Sequence, residues 1–443
     1  MNKKQLLKYI QRGEGAELEC KLGLGGLPKD IWPTYSAFAN SNGGIIIIGL
    51  KEVNQSYENV DGIDVVKLQK QFWDHINSSH VSLNILQSDD VYPLRINGKS
   101  LLIIHVPRAL RQQKPVSINP NPYIGTYRRN FEGDYRCTKQ EIDTMIAEST
   151  NLVRDHQIIH GFNLTHVHDE SLKRYRQRFT NLNPTHIWND LTDLEFLKRI
   201  GGYRENQETH EAGLTAAGLL MFGEEYHIVT QFSHYFMDYR EHVRIGTNQR
   251  WDNRITSQTG DWSGNLFDYF HKVAPKLLDN LPVPFQLNDD CLSRKLETDV
   301  HIAIREALLN TIIHADFNQN GNIIIEKNDT SFTFINHGVF RIPLEKAIRG
   351  GTSDIRNQTL ARMFGLIGYG ERAGYGLEFI HQVWHKHQWL DPVIEESFTP
   401  DRVKLTLTTK SDLKSSLLKN DGYVRFGAIN KIVNKLKMHL SKF

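Results

Sequence analysis

Cysteine is scarce: only Cys20, Cys137 and Cys291 occur in 443 residues, an odd number spaced far apart. That excludes a disulfide framework and a CxxC metal clip, and it fits a reducing compartment. Net charge is scarce too, with 53 Lys and Arg against 51 Asp and Glu, a formal +2. Global charge therefore names no partner, although a local basic face would still attract phosphate. No GxxxxGK[ST] phosphate loop occurs, which argues against a conventional helicase-type motor. Long apolar runs are missing as well; the longest, around Ile45–Ile48, is far too short to cross a bilayer. The opening MNKKQLLKYIQRGEG lacks the apolar stretch of a signal peptide, so a cytoplasmic chain with no membrane partner is expected. The 20 histidines are scattered without zinc-ligand spacing and read as solvated or hydrogen-bonded residues.

What is present is ordinary globular material, 39% hydrophobic and 23% charged, enough for roughly three domains. The pattern predicts an α+β multidomain protein. Over residues 1–150 it predicts a helix at 3–12 and strands at 16–21 and 45–50, with a helix at 31–40 between those strands. A hairpin of 91–96 and 100–106 turns at Asn97-Gly98, and a strand is expected at 123–128. A helix at 138–149 starts at Thr138, with Glu141 three residues on as a capping box. Residues 151–290 read as a mixed, partly helical connector with helices at 191–200, 215–222 and 266–281. Its tryptophans and tyrosines read as core rather than as base-stacking residues. Residues 291–409 form a third unit: a helix at 298–314, a hairpin of 321–327 and 331–336, helices at 343–349, 356–366 and 377–387, and a closing strand at 402–408. The last stretch, 410–443, reads as a basic amphipathic helical tail, with seven Lys and Arg against two Asp from 411 onward.

Two segments carry chemistry. In Arg305–Asp316, Glu306, Asn310 and His314 are four apart and share one helix face. A carboxamide oxygen is a hard ligand for Mg²⁺, and a carboxylate one turn earlier can orient and deprotonate a water. Farther on, Gly368-Tyr369-Gly370-Glu371-Arg372-Ala373-Gly374-Tyr375-Gly376 sets glycines directly before a helix, where backbone amides can cradle phosphate. A solvated helix face and plain turn glycines are the bland alternatives. The order of these elements resembles the Bergerat-fold (GHKL) ATPases, the superfamily of gyrase and the heat-shock chaperones, and more narrowly their RecG-like C-terminal branch. The matching residues are Arg305–Asp316, Asn336-His337-Gly338, Arg356-Asn357 with Leu360-Ala361, and Gly368–Gly376. Thr215–Gly223 resembles the connector that precedes this module in that branch. The resemblance implies an α/β sandwich binding ATP and Mg²⁺, and a homo-oligomer. It makes Glu306 the general base and Asn310 the Mg²⁺ ligand, places Asn336 and Gly338 at the adenine, and sets Gly374 and Gly376 at the phosphates. Asn336 stands where the wider superfamily has an aspartate. Arg356 and Arg372 are phosphate partners or salt-bridged structural residues, and His314 is a structural helix residue.

The second segment is at the N-terminus. On a strand, Glu17, Glu19 and Lys21 share one face. A carboxylate two residues before a lysine can hold a metal and set a cation beside a scissile phosphate, while exposed salt bridges are the bland reading. Together with Ala37-Phe38-Ala39-Asn40-Ser41-Asn42-Gly43-Gly44, this resembles the Schlafen-type AlbA domain. By that resemblance Glu14, Glu19 and Glu52 are candidate ligands of a nuclease Mg²⁺ or Mn²⁺, with Lys21 beside them, and the partner is DNA or RNA, tRNA and single strands included. Binding without cleavage is the other outcome the resemblance allows. A transcriptional regulator and a defence-type nuclease are equally compatible with it.

Overall fold

A computed structural model describes residues 14–53, 56–96, 98–150, 152–242, 251–281, 298–370, 374–398 and 400–410. The expected helix at 3–12, Cys291, Arg372 and the basic tail from 411 lie outside the described residues, as does the turn residue Asn97. The chain divides into two units, with the break between Asn151 and Leu152.

In the first unit, strands β1 (Leu18–Lys21), β2 (Gly44–Ile48), β5 (Val91–Ile96) and β6 (Lys99–Val106) form one sheet in the order β1-β2-β6-β5. β1 and β2 run parallel, joined through helix α1 (Ile31–Asn40), and the other pairs are antiparallel. The run Ile45–Ile48 is not amphipathic because both faces of the sheet are covered. Ile46 and Ile48 pack with Phe38 of α1 and Phe72 of α2 (Val65–Ile76), whereas Ile47 packs with Leu18, Leu50 and Ile103 on the other side. A small hairpin, β3 (Leu50–Val53) with β4 (Ser56–Asn59), follows β2 directly. The strand expected at 123–128 is corrected. Pro122 at the first helical position and the Asn121 side chain, accepting from the Tyr123 amide, make a short helix α3 (Pro122–Gly125). β7 (Tyr127–Asn130) begins after it and pairs with β8 (Gly133–Arg136). Helix α4 (Lys139–Ser149) starts at the expected capping box of Thr138 and Glu141.

The second unit contains helices α5 (Asp169–Leu182), α6 (Asp193–Ile200), α7 (Ala216–Phe222), α8 (Glu225–Gln231) and α9 (Leu266–Leu278), with strands β9 (Tyr203–Glu205) and β10 (Ala212–Leu214). A six-stranded sheet then runs β12-β11-β13-β14-β16-β15. Its strands are β11 (Met237–His242), β12 (Asn253–Thr256), β13 (Ile323–Asn328), β14 (Ser331–His337), β15 (Val393–Phe398) and β16 (Asp401–Thr408). β11 pairs in parallel with β13, Met237 opposite Ile323. Helices α10 (Asp299–Ile313) and α13 (Gly376–Lys386) pack together, with α11 (Leu344–Arg349) and α12 (Gln358–Leu366) beside them. A continuous apolar core extends from Ile159 to Leu407. The boundary drawn at 290 therefore does not separate two cores: β11, β12 and α9, read as connector, complete the sheet and the packing of the C-terminal elements.

Candidate functional sites

Helix α10 is buried on nearly every side, its apolar residues Val300, Ala303, Ile304, Ala307, Leu308 and Ile312 having almost no exposure. Against that background Glu306, only 9% exposed, is costly to hold and needs partners. Asn310, one turn on, donates from Nδ2 to Glu306 Oε1 at 3.2 Å. This bond fixes which end of the amide meets the carboxylate. The glycine stretch crosses the same helix. A Cβ on Gly370 would lie 2.6 Å from Leu309 Cδ2, and one on Gly376 would lie 2.2 Å from Glu306 Oε1 and 3.0 Å from Asn310 Nδ2. Gly376 is thus glycine because its backbone meets the carboxylate–carboxamide pair directly.

A second glycine turn completes this corner. Gly350 (φ +74°) and Gly351 (φ +75°) are left-handed, and a Cβ on Gly350 would strike Tyr375 and Glu378. Gly374 (φ +90°) faces the Thr352 backbone and Ser353, both on exposed turn. Glu306, Asn310, Gly374 and Gly376 are therefore brought together, and Gly350–Ser353 joins them. The doubled glycine at 350–351 was the available signal for that turn.

Other expected residues go elsewhere. Asn336 is buried on β14 and donates to the His337 carbonyl at 3.1 Å. At Gly338 (φ +96°) the space a side chain would take is filled by the Arg356 guanidinium. Arg356, 5% exposed, donates to the carbonyls of His314 and of Val339, the latter at 3.0 Å. These bonds tie its guanidinium to the backbone on both sides. His314 is the C-cap of α10, and burial, with Arg356 and Arg341 nearby, lowers its pKa to about 4, so the ring is neutral. Asp155, also missed by sequence reasoning, is 1% exposed and accepts from the Leu360 amide at 2.9 Å and the Thr359 hydroxyl at 3.2 Å, at the start of α12. Burial raises its pKa to about 6.

In the first unit two of the expected metal acids, Glu14 and Glu19, are engaged in the fold. Glu19 Oε1 pairs with Lys21 Nζ at 2.7 Å, and Glu19 Oε2 with Arg129 Nη2 at 2.9 Å. Arg129 was likewise missed by sequence reasoning. Its side chain is 1% exposed and also bonds Asp134 at 2.9 Å and the carbonyls of Gly15 and Leu18, with its guanidinium over the Phe38 ring. Lys21 bridges on to Asp30 at 2.6 Å. Glu14 accepts from the Cys20 amide at 2.9 Å, and its pKa is raised, mainly by burial. Glu52 is exposed on β3, opposite Tyr57. Burial, with the charges of Glu14 and Glu52 close by, pushes the Tyr57 hydroxyl up. Among the described residues no group of three His, Cys, Asp or Glu could hold a metal ion. Glu14, Glu19 and Glu52 do not fit a nuclease metal in this arrangement, and Lys21 is a salt-bridge partner.

The AFANSNGG segment is explained by the same packing. Asn40 is fully buried and clamps Val116 from both sides, Nδ2 to its carbonyl at 2.8 Å and Oδ1 from its amide at 2.9 Å. Gly43 (φ +78°) lies against the Val106 carbonyl, and Gly44 beneath the Phe38 ring. These residues join α1 to β2 and to the segment before β7. Residues 14–137 match the Schlafen, AlbA_2 family. The Schlafen AlbA_2 domain is thus followed by a stretch, 143–238, that matches a domain of unknown function, DUF8451. Among solved structures, the DIP2311 protein of Corynebacterium diphtheriae is 18% identical over 89% of this chain and 76% of its own, with a TM-score of 0.44. The N-terminal domain of a RecG-related protein of Nitrosomonas europaea, an ATP-dependent DNA helicase by name, is 26% identical over 30% of this chain and 92% of its own, with a TM-score of 0.24. No curated protein matches. Among the described residues no helix is long and apolar enough to cross a membrane.

Proposed function

We propose that this chain binds Mg-ATP in its second unit, turns it over at Glu306, and binds nucleic acid through its Schlafen AlbA_2 domain. The observation that carries the nucleotide half is the meeting of Gly376 with Glu306 and Asn310. In this reading Asn310 Oδ1 ligates the magnesium ion, which supplies charge neutralisation at the phosphates. The Gly374–Gly376 backbone, at the start of α13, presents amides to phosphate oxygens. Glu306, in a nearly dry setting, holds and deprotonates a water. A homo-oligomer is part of the same reading.

Nucleotide sensing without turnover is the second reading. Two observations favour it: Glu306 Oε1 already accepts the Asn310 amide, and Arg356 fills the space at Gly338. Calorimetry with Mg-ATP, paired with phosphate release by wild type and Glu306→Ala, separates the two. Turnover lost in the variant with binding retained supports the ATPase. Equal background rates support the sensor, and no magnesium-dependent binding of any adenine nucleotide removes both.

For the first unit, the engagement of Glu19 by Arg129 favours binding over cutting. Labelled tRNA, single-stranded and duplex DNA with Mg²⁺ or Mn²⁺ are expected to bind uncut. Cleavage by wild type that disappears in Glu52→Ala, an exposed position, would restore the nuclease reading.

A further inference from the structure

The hairpin β7–β8 of the Schlafen AlbA_2 domain has two different faces. In the inward rung Arg129 is buried, bonded to Glu19, Gly15 and Leu18, while the half-buried Asp134 opposite it accepts from the Thr34 hydroxyl of α1 at 2.6 Å. That rung holds the hairpin rigidly to the domain. The turn and the outward face carry aromatics in solvent: Phe131 is 73% exposed and Tyr135 61%. Tyr135 lies over Gly133, where a Cβ would meet its ring at 2.4 Å. On the rung Tyr127–Arg136, the Arg136 guanidinium stands over the Tyr127 ring, 5.9 Å from its centroid, and donates to the Tyr127 hydroxyl at 3.2 Å.

Phe131 is the telling residue. It is the first of two residues turning between the paired Asn130 and Gly133, and its φ is +54°. Glycine or asparagine is the ordinary occupant of a left-handed hairpin position, where a bulky side chain is strained. A ring held in that conformation and left three-quarters exposed contributes little packing in return. Strain of this kind marks sites of contact.

We propose that Phe131 and Tyr135 form a stacking platform for single-stranded nucleic acid, with Arg136, exposed at the end of the hairpin on the face of the Arg129–Asp134 rung, meeting the strand's backbone beyond it. The proposal rests on the reading of this domain as a nucleic-acid binder. Exposed aromatics accept bases of any sequence on their faces, and an exposed arginine at the hairpin's end serves phosphate. Asp134 is neutralised by Arg129, and Glu132, exposed at the turn, is the opposing charge that keeps the attraction modest. Strand stacking, rather than an electrostatic duplex contact, is the mode that suits this balance.

The test is fluorescence anisotropy of labelled single-stranded RNA and DNA on the full chain, comparing wild type with Phe131→Gly and Arg136→Gln. Phe131→Gly relieves the left-handed strain, so its melting temperature holds or rises while its affinity falls about tenfold. A structural role would move both in the same direction. Arg136→Gln lowers affinity and reduces its salt dependence. Wild-type binding that neither variant changes overturns the platform and leaves nucleic-acid binding standing. Absence of any wild-type binding overturns both. Loss of self-association in Phe131→Gly, seen by sedimentation without any change in oligonucleotide affinity, assigns the platform to a second copy and also overturns it.

Discussion

Gly376→Ala tests the corner where the nucleotide is placed. The added Cβ falls 2.2 Å from Glu306 Oε1 and 3.0 Å from both Glu306 Cδ and Asn310 Nδ2. Glu306 is 9% exposed on a helix packed on nearly all sides, so neither it nor the α13 backbone moves aside without disturbing neighbours. Overpacking of this kind costs about 1–3 kcal/mol. Alanine returns about 0.5–1 kcal/mol of backbone entropy, leaving a net loss centred near 1 kcal/mol and reaching about 2.5 kcal/mol. At roughly 2–4 °C per kcal/mol for a unit of this size, the melting temperature falls by about 2–4 °C, and by at most about 10 °C.

Gly365→Ala is the internal control. Gly365 lies within α12, and a Cβ there meets nothing within 4 Å. It gains the entropy term alone, about 0.4–1 kcal/mol, and its melting temperature rises. The two variants should separate a second time in calorimetry, Gly365→Ala binding Mg-ATP as wild type does and Gly376→Ala losing at least tenfold. A Gly376→Ala protein as stable as wild type, with unchanged Mg-ATP affinity, would refute the close approach and its use as a phosphate cradle.

Two buried titrating groups make opposite predictions over one pH window. Asp155, raised to about 6 by burial, is uncomfortable when charged, so its penalty of about 3 kcal/mol at neutral pH is relieved as pH falls from 7 toward 4. His314, lowered to about 4, resists charging, so about 3 kcal/mol is lost as pH falls from 6.5 toward 4. In wild type the two nearly cancel. Asp155→Asn should destabilise steadily on acidification and His314→Gln should stabilise, read as melting temperature against pH; parallel profiles would contradict the assignment. Arg129→Ala leaves Glu19 and Asp134 buried without their shared cation and should destabilise the first unit by about 3–5 kcal/mol, measured by urea unfolding. Its failure to do so would mean that the ion pairs are spread over solvent rather than held in the core.

Local signals were legible. The capping box at Thr138 and Glu141 appears where the pattern placed it, and the helices expected from 215 and 298 are present. So does the hairpin of β5 and β6. Non-local pairings were not. β11 joins β13 across more than 80 residues, and its sequence, Met-Asp-Tyr-Arg-Glu-His, carries charges because Asp238 is satisfied by Arg240 and Arg254 rather than by solvent. The glycine turn at 350–351 shows its purpose only when Gly374 is seen against it. Arg129 reads as one more basic residue on a short strand; that it neutralises Glu19 and Asp134 follows from the placement of β1, β7 and β8 together.

The two chemical motifs thus part company for one physical reason. A buried carboxylate must be compensated, and what compensates it decides its chemistry. Glu306 accepts a neutral amide from Asn310 and is met by the Gly376 backbone, where a side chain would collide with it. Glu19 is met by two cations from its own chain, one of them 1% exposed and held by carbonyls and a second carboxylate. A metal ion at Glu19 would have to displace that guanidinium and leave it buried without its partner, a cost of several kcal/mol before any ligand is gained. A carboxylate set among candidate site residues is therefore read by its partners, and at Glu19 those partners are cations of its own chain.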